Sequence, residues 1–208
     1  MLVKNRMTLN PYTVSPETTV PEAYAIMQEH GFHRLPVMKQ NKLIGIVTEK
    51  ELQRVTPSEA TTLSVFEINY LLAKMTVADA MTKDPITIQD EELVETAAVI
   101  MRENHIGALP VMRGDRLVGI ITDMDIFDAF IDMMGVRDGG ARLVVRMPDE
   151  PGAALEVFTI INKFRVNIRH MALNNGRNGA EILFRLDTDD CEEIKRAILA
   201  KGYEITEK

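Results

Sequence analysis

Residues 35–48 read LPVMKQNKLIGIVT, and residues 109–122 read LPVMRGDRLVGIIT. Each stretch holds two apolar runs, too short for helices and rich in β-branched side chains, which predicts two strands. Working outward, the match is part of an ungapped repeat: residues 7–52 align with residues 81–126 at a constant offset of 74, with 18 identities in 46 positions. Chance would give about three, so the segment is a duplication. Met7-Thr8 returns as Met81-Thr82, Pro11 as Pro85, and Gly45 as Gly119. Two copies are too few for a solenoid, so the expected arrangement is two similar halves about a pseudo-twofold axis.

Pro11–Val14 and Pro85–Ile88 read as short strands. Val20, Ala23, Tyr24 and Met27 then recur at helical spacing, and Val94, Ala97, Ala98 and Met101 repeat that face. Helices are expected again at 48–56 and 122–134, the second burying Ile126, Phe127, Phe130, Ile131 and Met134. The unit is therefore strand, helix, strand, strand, helix. Between the copies, residues 63–75 predict a further amphipathic helix carrying Val65, Phe66, Ile68, Leu71, Leu72 and Met75.

The charge changes along the chain. Residues 1–139 hold 13 basic and 20 acidic side chains, and residues 140–208 hold 11 of each. The change coincides with GVRDGGAR, residues 135–142, whose glycines Gly135, Gly139 and Gly140 predict a helix end and a linker. The expected division is 1–62 and 63–134 for the two copies, 135–140 for the linker and 141–208 for a last domain. That domain reads strand (ARLVVRM, 141–147), helix (Leu155, Phe158, Ile160 and Ile161 inward), strand (166–173), a turn at NNGRNG (174–179) and strand (181–187). A helix capped by Asp189 or Asp190, with Ile194, Ala197, Ile198 and Leu199, and a last strand YEIT complete a ferredoxin-like βαββαβ order. The fold class is α/β (α+β).

Composition excludes several functions. The single Cys191 allows no internal disulfide framework and suits a reducing, cytoplasmic compartment. No apolar run approaches the ~18 residues of a membrane span. The start, MLVKNRMTLNP, has no signal-peptide core. A net charge of −7 argues against nucleic acid as the partner. His30 and His33 lack companions for a metal site. No Gly-x-Ser-x-Gly, Walker-type or Gly-x-Gly-x-x-Gly motif is present, so no catalytic residues and no cofactor are expected.

Thr122-Asp123-Met124-Asp125 stands where a strand passes into a helix. Free N–H groups at a helix start suit phosphate, and a carboxylate one turn in can accept from two vicinal hydroxyls. The same residues also read as a capping box, with Thr122 as N-cap and Asp125 three residues on. In the first copy, Thr48-Glu49-Lys50-Glu51 completes an ordinary capping box with a carboxylate one methylene longer, so the two sites are expected to be unequal.

Met-Thr-x-x-Pro, Leu-Pro-Val and Gly-Ile-Ile-Thr-x-x-Asp, doubled at fixed offset, resemble the CBS domain, whose tandem pair forms an adenosine-binding module. The resemblance covers residues 1–134. It implies that Asp125 meets a ribose and Thr122 lies near a phosphate, with Thr48 and Glu51 at the weaker site. His33-Arg34 matches a phosphate-contacting pair of energy-sensing CBS proteins, whereas the second copy has Gly107-Ala108 there. Leu35, Val37, Leu109 and Val111 either flank an adenine or belong to the core.

Pro151-Gly152-Ala153-Ala154-Leu155, Val166-Asn167-Ile168 and the βαββαβ order resemble the ACT domain, a small-ligand regulatory module. The resemblance implies an effector site at Asp149, Gly152, Asn167 and Ile168. A Pro after an acidic cap also simply starts many helices. The CBS–CBS–ACT order resembles the acetoin-utilisation protein B type. Together these resemblances imply a non-catalytic cytoplasmic regulator. Its ligand would be AMP, ADP, ATP or S-adenosylmethionine, with an amino-acid effector and an unidentified target protein. A homodimer is expected from surplus apolar residues at 63–75 and 122–134. The alternative is a ligand-free structural adaptor.

Overall fold

The computed structural model describes residues 1–55, 74–176 and 179–206, and the chain divides into two units, Met1–Ile126 and Phe127–Lys208. The first copy forms β1 (Thr8–Leu9), α1 (Val20–His30), β2 (Arg34–Lys39), β3 (Lys42–Thr48) and α2 (Glu49–Val55). The second forms α3 (Val77–Ala80), β4 (Thr82–Lys83), β5 (Ile88–Gln89), α4 (Val94–Asn104), β6 (Ala108–Arg113), β7 (Arg116–Thr122) and α5 (Asp123–Met133). The remaining residues form β8 (Ala141–Met147), α6 (Ala153–Lys163), β9 (Ile168–Gly176), β10 (Gly179–Leu186), α7 (Glu192–Leu199) and β11 (Glu204–Ile205).

The repeated stretches fold as their composition predicts, into antiparallel pairs of matching register. Leu35 faces Val47 in β2–β3, and Leu109 faces Ile121 in β6–β7. Both pairs shift register at the same place, Val37/Met38 and Val111/Met112. The short opening strands cross over. β1 pairs with β7 of the second copy, with Leu9 opposite Gly119. β4 pairs with β3 of the first copy, with Lys83 opposite Gly45. Each copy thus completes the other's sheet. The crossing explains two pairs of repeated residues. A Cβ on Gly45 would lie 2.6 Å from Met81 Sδ and 3.0 Å from the Thr82 carbonyl, and one on Gly119 would collide with Met7 Sδ. Only glycine lets the exchanged Met-Thr segment approach so closely.

The core of the first copy is Val14, Val20, Ala23, Met27, Leu35, Val37, Val47 and Leu52, joined by Val77 from the second. Full burial of a Val, Leu or Met side chain stabilises by roughly 1.5–3 kcal/mol against the entropy of ordering the chain. α1 starts at Thr19, whose hydroxyl accepts from Glu22 N while Glu22 accepts from Thr19 N, and Gly31 ends it at φ 68. α4 begins at Leu93 without a side-chain cap and ends at His105, also left-handed at φ 54.

The last segment forms an antiparallel sheet of order β11-β8-β10-β9, with βαββαβ connectivity. Its core contains Leu143, Val145, Val157, Ile160, Ile161, Phe184, Ile194 and Ile198.

Several local expectations are corrected. Phe127 and Phe130 are 58% and 55% exposed, because α5 turns Ala129 inward and its apolar residues span a wider arc than the face that packs. Leu155 and Leu199 are exposed for the same reason: Val157, Ile160 and Ile161, and Ile194 and Ile198, form the inward faces. Of Pro11–Val14 only Val14 pairs, in a parallel bridge to Val37, because Asn10 at φ 48 turns the chain out of β1 and Pro11 has no N–H to offer a ladder. The helix expected at 63–75 lies outside the described residues, apart from Lys74 and Met75. β9 and β10 run into the expected 174–179 turn as far as Gly176 and Gly179; residues 177 and 178 lie outside the described residues.

The glycine-rich stretch is closely packed at two of its glycines. A Cβ on Gly135 would collide with the His170 ring, and one on Gly140 with the Leu186 carbonyl. His170 Nε2 lies 2.6 Å from Asp138 Oδ2, and Arg169 Nη1 donates to the Asp138 carbonyl at 2.7 Å.

Candidate functional site

Two clefts are related by the repeat. Cleft 1, about 310 Å³, is lined by residues 8–12, 31–35, Ile120 and 122–124. Cleft 2, about 500 Å³, is lined by the equivalents Thr82, Asp84–Ile86, His105–Ala108, Ile46 and Thr48–Glu51, with Pro110, His33 and Arg34 added. Both volumes fall in the range of small-molecule sites.

Each cleft holds a strand-to-helix junction. Asp123 N, opening α5, donates to the Gly107 carbonyl at 3.0 Å, and Glu49 N, opening α2, donates to the His33 carbonyl at 3.0 Å. The capping boxes read in the sequence are present. Asp125 Oδ2 accepts from Thr122 N and Thr122 Oγ1, both at 2.7 Å, and Asp125 N donates to Thr122 Oγ1 at 3.3 Å. Glu51 Oε2 accepts from Thr48 N at 2.7 Å and from Thr48 Oγ1 at 3.0 Å.

The second carboxylate oxygen separates the two. Glu51 Oε1 accepts from Thr82 Oγ1 at 2.5 Å, so its longer side chain is tied to the crossed strand β4. Asp125 Oδ1 has no hydrogen-bond partner among the described residues. Thr122 lines cleft 1, and Asp125 is joined to it by these bonds; Thr48 and Glu51 both line cleft 2.

The basic side chains at the two junctions are unequal too. His33 Nδ1 lies 3.1 Å from Glu49 Oε2, and Gln28 Nε2 donates to the other Glu49 oxygen at 3.3 Å. Arg34 Nη1 donates to the Gly107 carbonyl, and Nη2 lies 3.9 Å from Asp123 Oδ1. Both His33 and Arg34 line both clefts.

Leu35 lines cleft 1 with only 1% of its surface exposed, whereas Leu109, Val37 and Val111 are fully buried and line neither cleft. Their part is the core.

Tyr12 and Phe32 escaped the sequence reading. Both line cleft 1, their ring centroids 5.3 Å apart, with the His30 ring 4.4 Å from Tyr12. Cleft 2 has Ile86 and Ile106 at the equivalent positions. A departure from the repeat toward aromatic residues was the signal available. Asp123 and Glu49, which face Arg34 and His33, were likewise missed.

In the second unit Asp149, Gly152 and Asn167 are exposed and Ile168 packs partly against the core. Gly152 adopts φ 97 at the start of α6, and a Cβ there would meet nothing within 4 Å. Glycine is therefore required by the left-handed turn rather than by crowding. The Asn167 carbonyl accepts from Asp187 N at 2.8 Å. Among the described residues no group of three or more His, Cys, Asp or Glu is placed to hold a metal, and no helix is long and apolar enough to cross a membrane.

The CBS domain model matches residues 3–57 and 77–132, and the ACT domain model matches residues 141–200. An inosine-5'-monophosphate dehydrogenase of Korarchaeum cryptofilum is 37% identical over 149 residues, covering 71% of this chain and 27% of that enzyme. The chain thus spans about a quarter of that relative's length. A CBS domain-containing protein of Dictyostelium discoideum is 32% identical over 136 residues, 64% of this chain and 94% of its own. Among solved structures, a Vibrio cholerae protein attributed to acetoin utilization is 27% identical with TM-score 0.55, covering 66% of this chain and 96% of that one. CBSX2 in complex with AMP is 28% identical with TM-score 0.52, covering 63% and 96% of the two chains. The CBS domain pair of protein MJ0100, in complex with 5'-methylthioadenosine and S-adenosyl-L-methionine, is 28% identical with TM-score 0.52, covering 62% and 95%. The crossed repeat, its paired clefts and these matches agree: the chain belongs to the CBS-domain family, with a tandem CBS pair followed by an ACT domain.

Proposed function

We propose that the chain is a non-catalytic regulatory sensor that binds an adenosine-containing ligand, AMP, ADP, ATP or S-adenosylmethionine, in cleft 1. The observation that carries this reading is the grouping in one cleft of an aromatic pair, a guanidinium and a threonine held by a half-occupied carboxylate. Tyr12 and Phe32 line cleft 1 and suit an adenine, which stacks well on aromatic surfaces. Asp125 Oδ1 is available to a ribose hydroxyl while Thr122 holds the other oxygen in place. Arg34 presents a planar fork suited to phosphate oxygens. The AMP and S-adenosylmethionine complexes of similar CBS pairs support the same ligand class.

In this reading the ACT domain takes a small effector such as an amino acid at Asp149, Gly152, Asn167 and Ile168, and the protein acts in the cytoplasm on a separate target protein. The exposed Met124, Phe127, Phe130 and Met133 of α5 support a homodimer, and they also favour the second reading, a ligand-free adaptor.

A thermal-shift screen of adenine nucleotides, S-adenosylmethionine and amino acids tests the proposal. A ligand at 100 times its Kd adds ~2.7 kcal/mol of stability, which is readily seen as a raised Tm. No shift with any adenosine compound would leave the adaptor reading standing.

A further inference from the structure

We propose that Arg34 is one phosphate-binding cation shared by both clefts, so that anionic adenine nucleotides fill the clefts in competition rather than independently. The inference rests on the adenosine-ligand reading and goes beyond it by assigning how the two sites communicate.

The repeat supplies a single arm. Arg34 lines both clefts, and its equivalent in the second copy is Ala108. The side chain reaches across the pseudo-twofold axis: Nη1 donates to the carbonyl of Gly107 in the other copy, and Nη2 stands 3.9 Å from Asp123 at the start of α5. Gly107 leaves the space for it, since a Cβ there would lie 3.1 Å from Nη1 and 3.1 Å from Asp123 Oδ2. The two departures from the repeat, Arg34 for Ala108 and Gly107 for His33, are therefore arm and notch of one device.

The remaining charge makes that arm decisive. Apart from Arg34, the one ionised side chain lining cleft 1 among the described residues is the carboxylate of Asp123. Cleft 2 is lined by Glu49, Glu51 and Asp84 against Lys50, while the His33 ring is already turned to Glu49. A phosphate entering either cleft without the guanidinium meets net negative charge in a partly desolvated space, where repulsion is strong. One guanidinium fork serves one phosphate bidentately. A phosphate that draws Arg34 into one cleft leaves the other with its carboxylates uncompensated. Each nucleotide must then weaken the other by one common factor. A nucleoside without phosphate has no need of the arm and escapes the penalty.

Calorimetric titration of the full chain with AMP and, separately, with adenosine tests the assignment. In the parent, the two stepwise AMP constants are expected to lie at least tenfold further apart than the two adenosine constants. Arg34→Ala is expected to lower AMP affinity about 10- to 100-fold, leave adenosine affinity near the parent's, and remove the extra spacing. Arg34→Lys should recover part of the AMP preference, because the charge returns without the fork. If Arg34→Ala melts too low to titrate, Gly107→Ala carries the test: filling the notch should displace the arm and shrink the AMP-to-adenosine ratio in a chain that keeps every charge. Equal spacing for AMP and adenosine in the parent, or an AMP-to-adenosine ratio unmoved in the variants, overturns the inference while leaving adenosine binding intact. Failure of adenosine and AMP alike to bind the parent overturns this inference too, and the ligand reading falls with it only if ADP, ATP and S-adenosylmethionine also give no thermal shift.

Discussion

The junction at Thr122–Asp125 and its duplicate at Thr48–Glu51 share a backbone plan, and their capping carboxylates, Asp125 and Glu51, differ by one methylene. That methylene redirects the group. Glu51 closes its own capping box and also ties Thr82 of the crossed strand at 2.5 Å, so both its oxygens are committed to structure. Asp125 closes the same box with one oxygen and keeps the other unpartnered among the described residues. The duplicated junction is thus tied to structure through both carboxylate oxygens in one copy and through one oxygen in the other. Tyr12 and Phe32 against Ile86 and Ile106 sharpen the same division.

The comparison breaks most severely where the two copies are alike. Gly45→Ala and Gly119→Ala each force a Cβ into a crossed Met-Thr segment. Overpacking of this kind costs about 1–3 kcal/mol, and both variants should lose that much in urea unfolding, with Met81→Ala recovering part of the Gly45→Ala loss. A Gly119→Ala chain as stable as the parent would mean that β1 does not cross to β7 as described.

A smaller effect sharpens the difference. Exchanging Tyr12→Ile and Phe32→Ile gives cleft 1 the lining of cleft 2 and should weaken adenosine binding about 3- to 10-fold, since aromatic pairing contributes ~0.5–1.5 kcal/mol beyond area. Fluorescence or calorimetric titration reads this, and unchanged affinity would remove the rings from the site.

The smallest effect concerns the helix starts. The Thr19 backbone N–H, then the Thr19 hydroxyl, hold the Glu22 carboxyl below its ordinary pKa, whereas α4 has no such cap at Leu93. A lowered carboxyl stabilises fully above its ordinary range, and the gain is lost as pH falls through the lowered value. Asp79 is lowered in the same way by Thr76. The Tm lost between neutral pH and about pH 3 should therefore be slightly smaller in Glu22→Gln, which keeps an acceptor but does not titrate. An identical Tm loss in parent and variant would contradict the capping account.

Much of the fold was legible because the duplication announces it: LPVM and GI(I/V)T carry both the strand pairs and their equivalence. The crossing of β1 and β4 was not, because two-residue strands have no period to read, although repeated Met and Gly at the same spots were its trace. Periodicity also overstated burial at Phe127, Phe130 and Leu155, since an apolar arc wider than one face does not say which part packs. At the site, Thr122, Asp125, Thr48 and Glu51 were readable as capping boxes. The Asp125 oxygen left unpartnered among the described residues, the Thr82 tie and the reach of Arg34 depend on side-chain geometry across the two copies, which spacing along one copy does not carry.

Titration of Asp125→Ala and Glu51→Ala with AMP, each beside the parent and with its Tm recorded, tests the division of labour most directly. The account predicts that Asp125→Ala loses about 5- to 150-fold in affinity at the tighter site, as unpaired ribose hydroxyls cost ~1–3 kcal/mol. It predicts that Glu51→Ala keeps that affinity and loses ~0.5–2 kcal/mol of stability instead. Loss of tight binding in Glu51→Ala with normal binding in Asp125→Ala would contradict it.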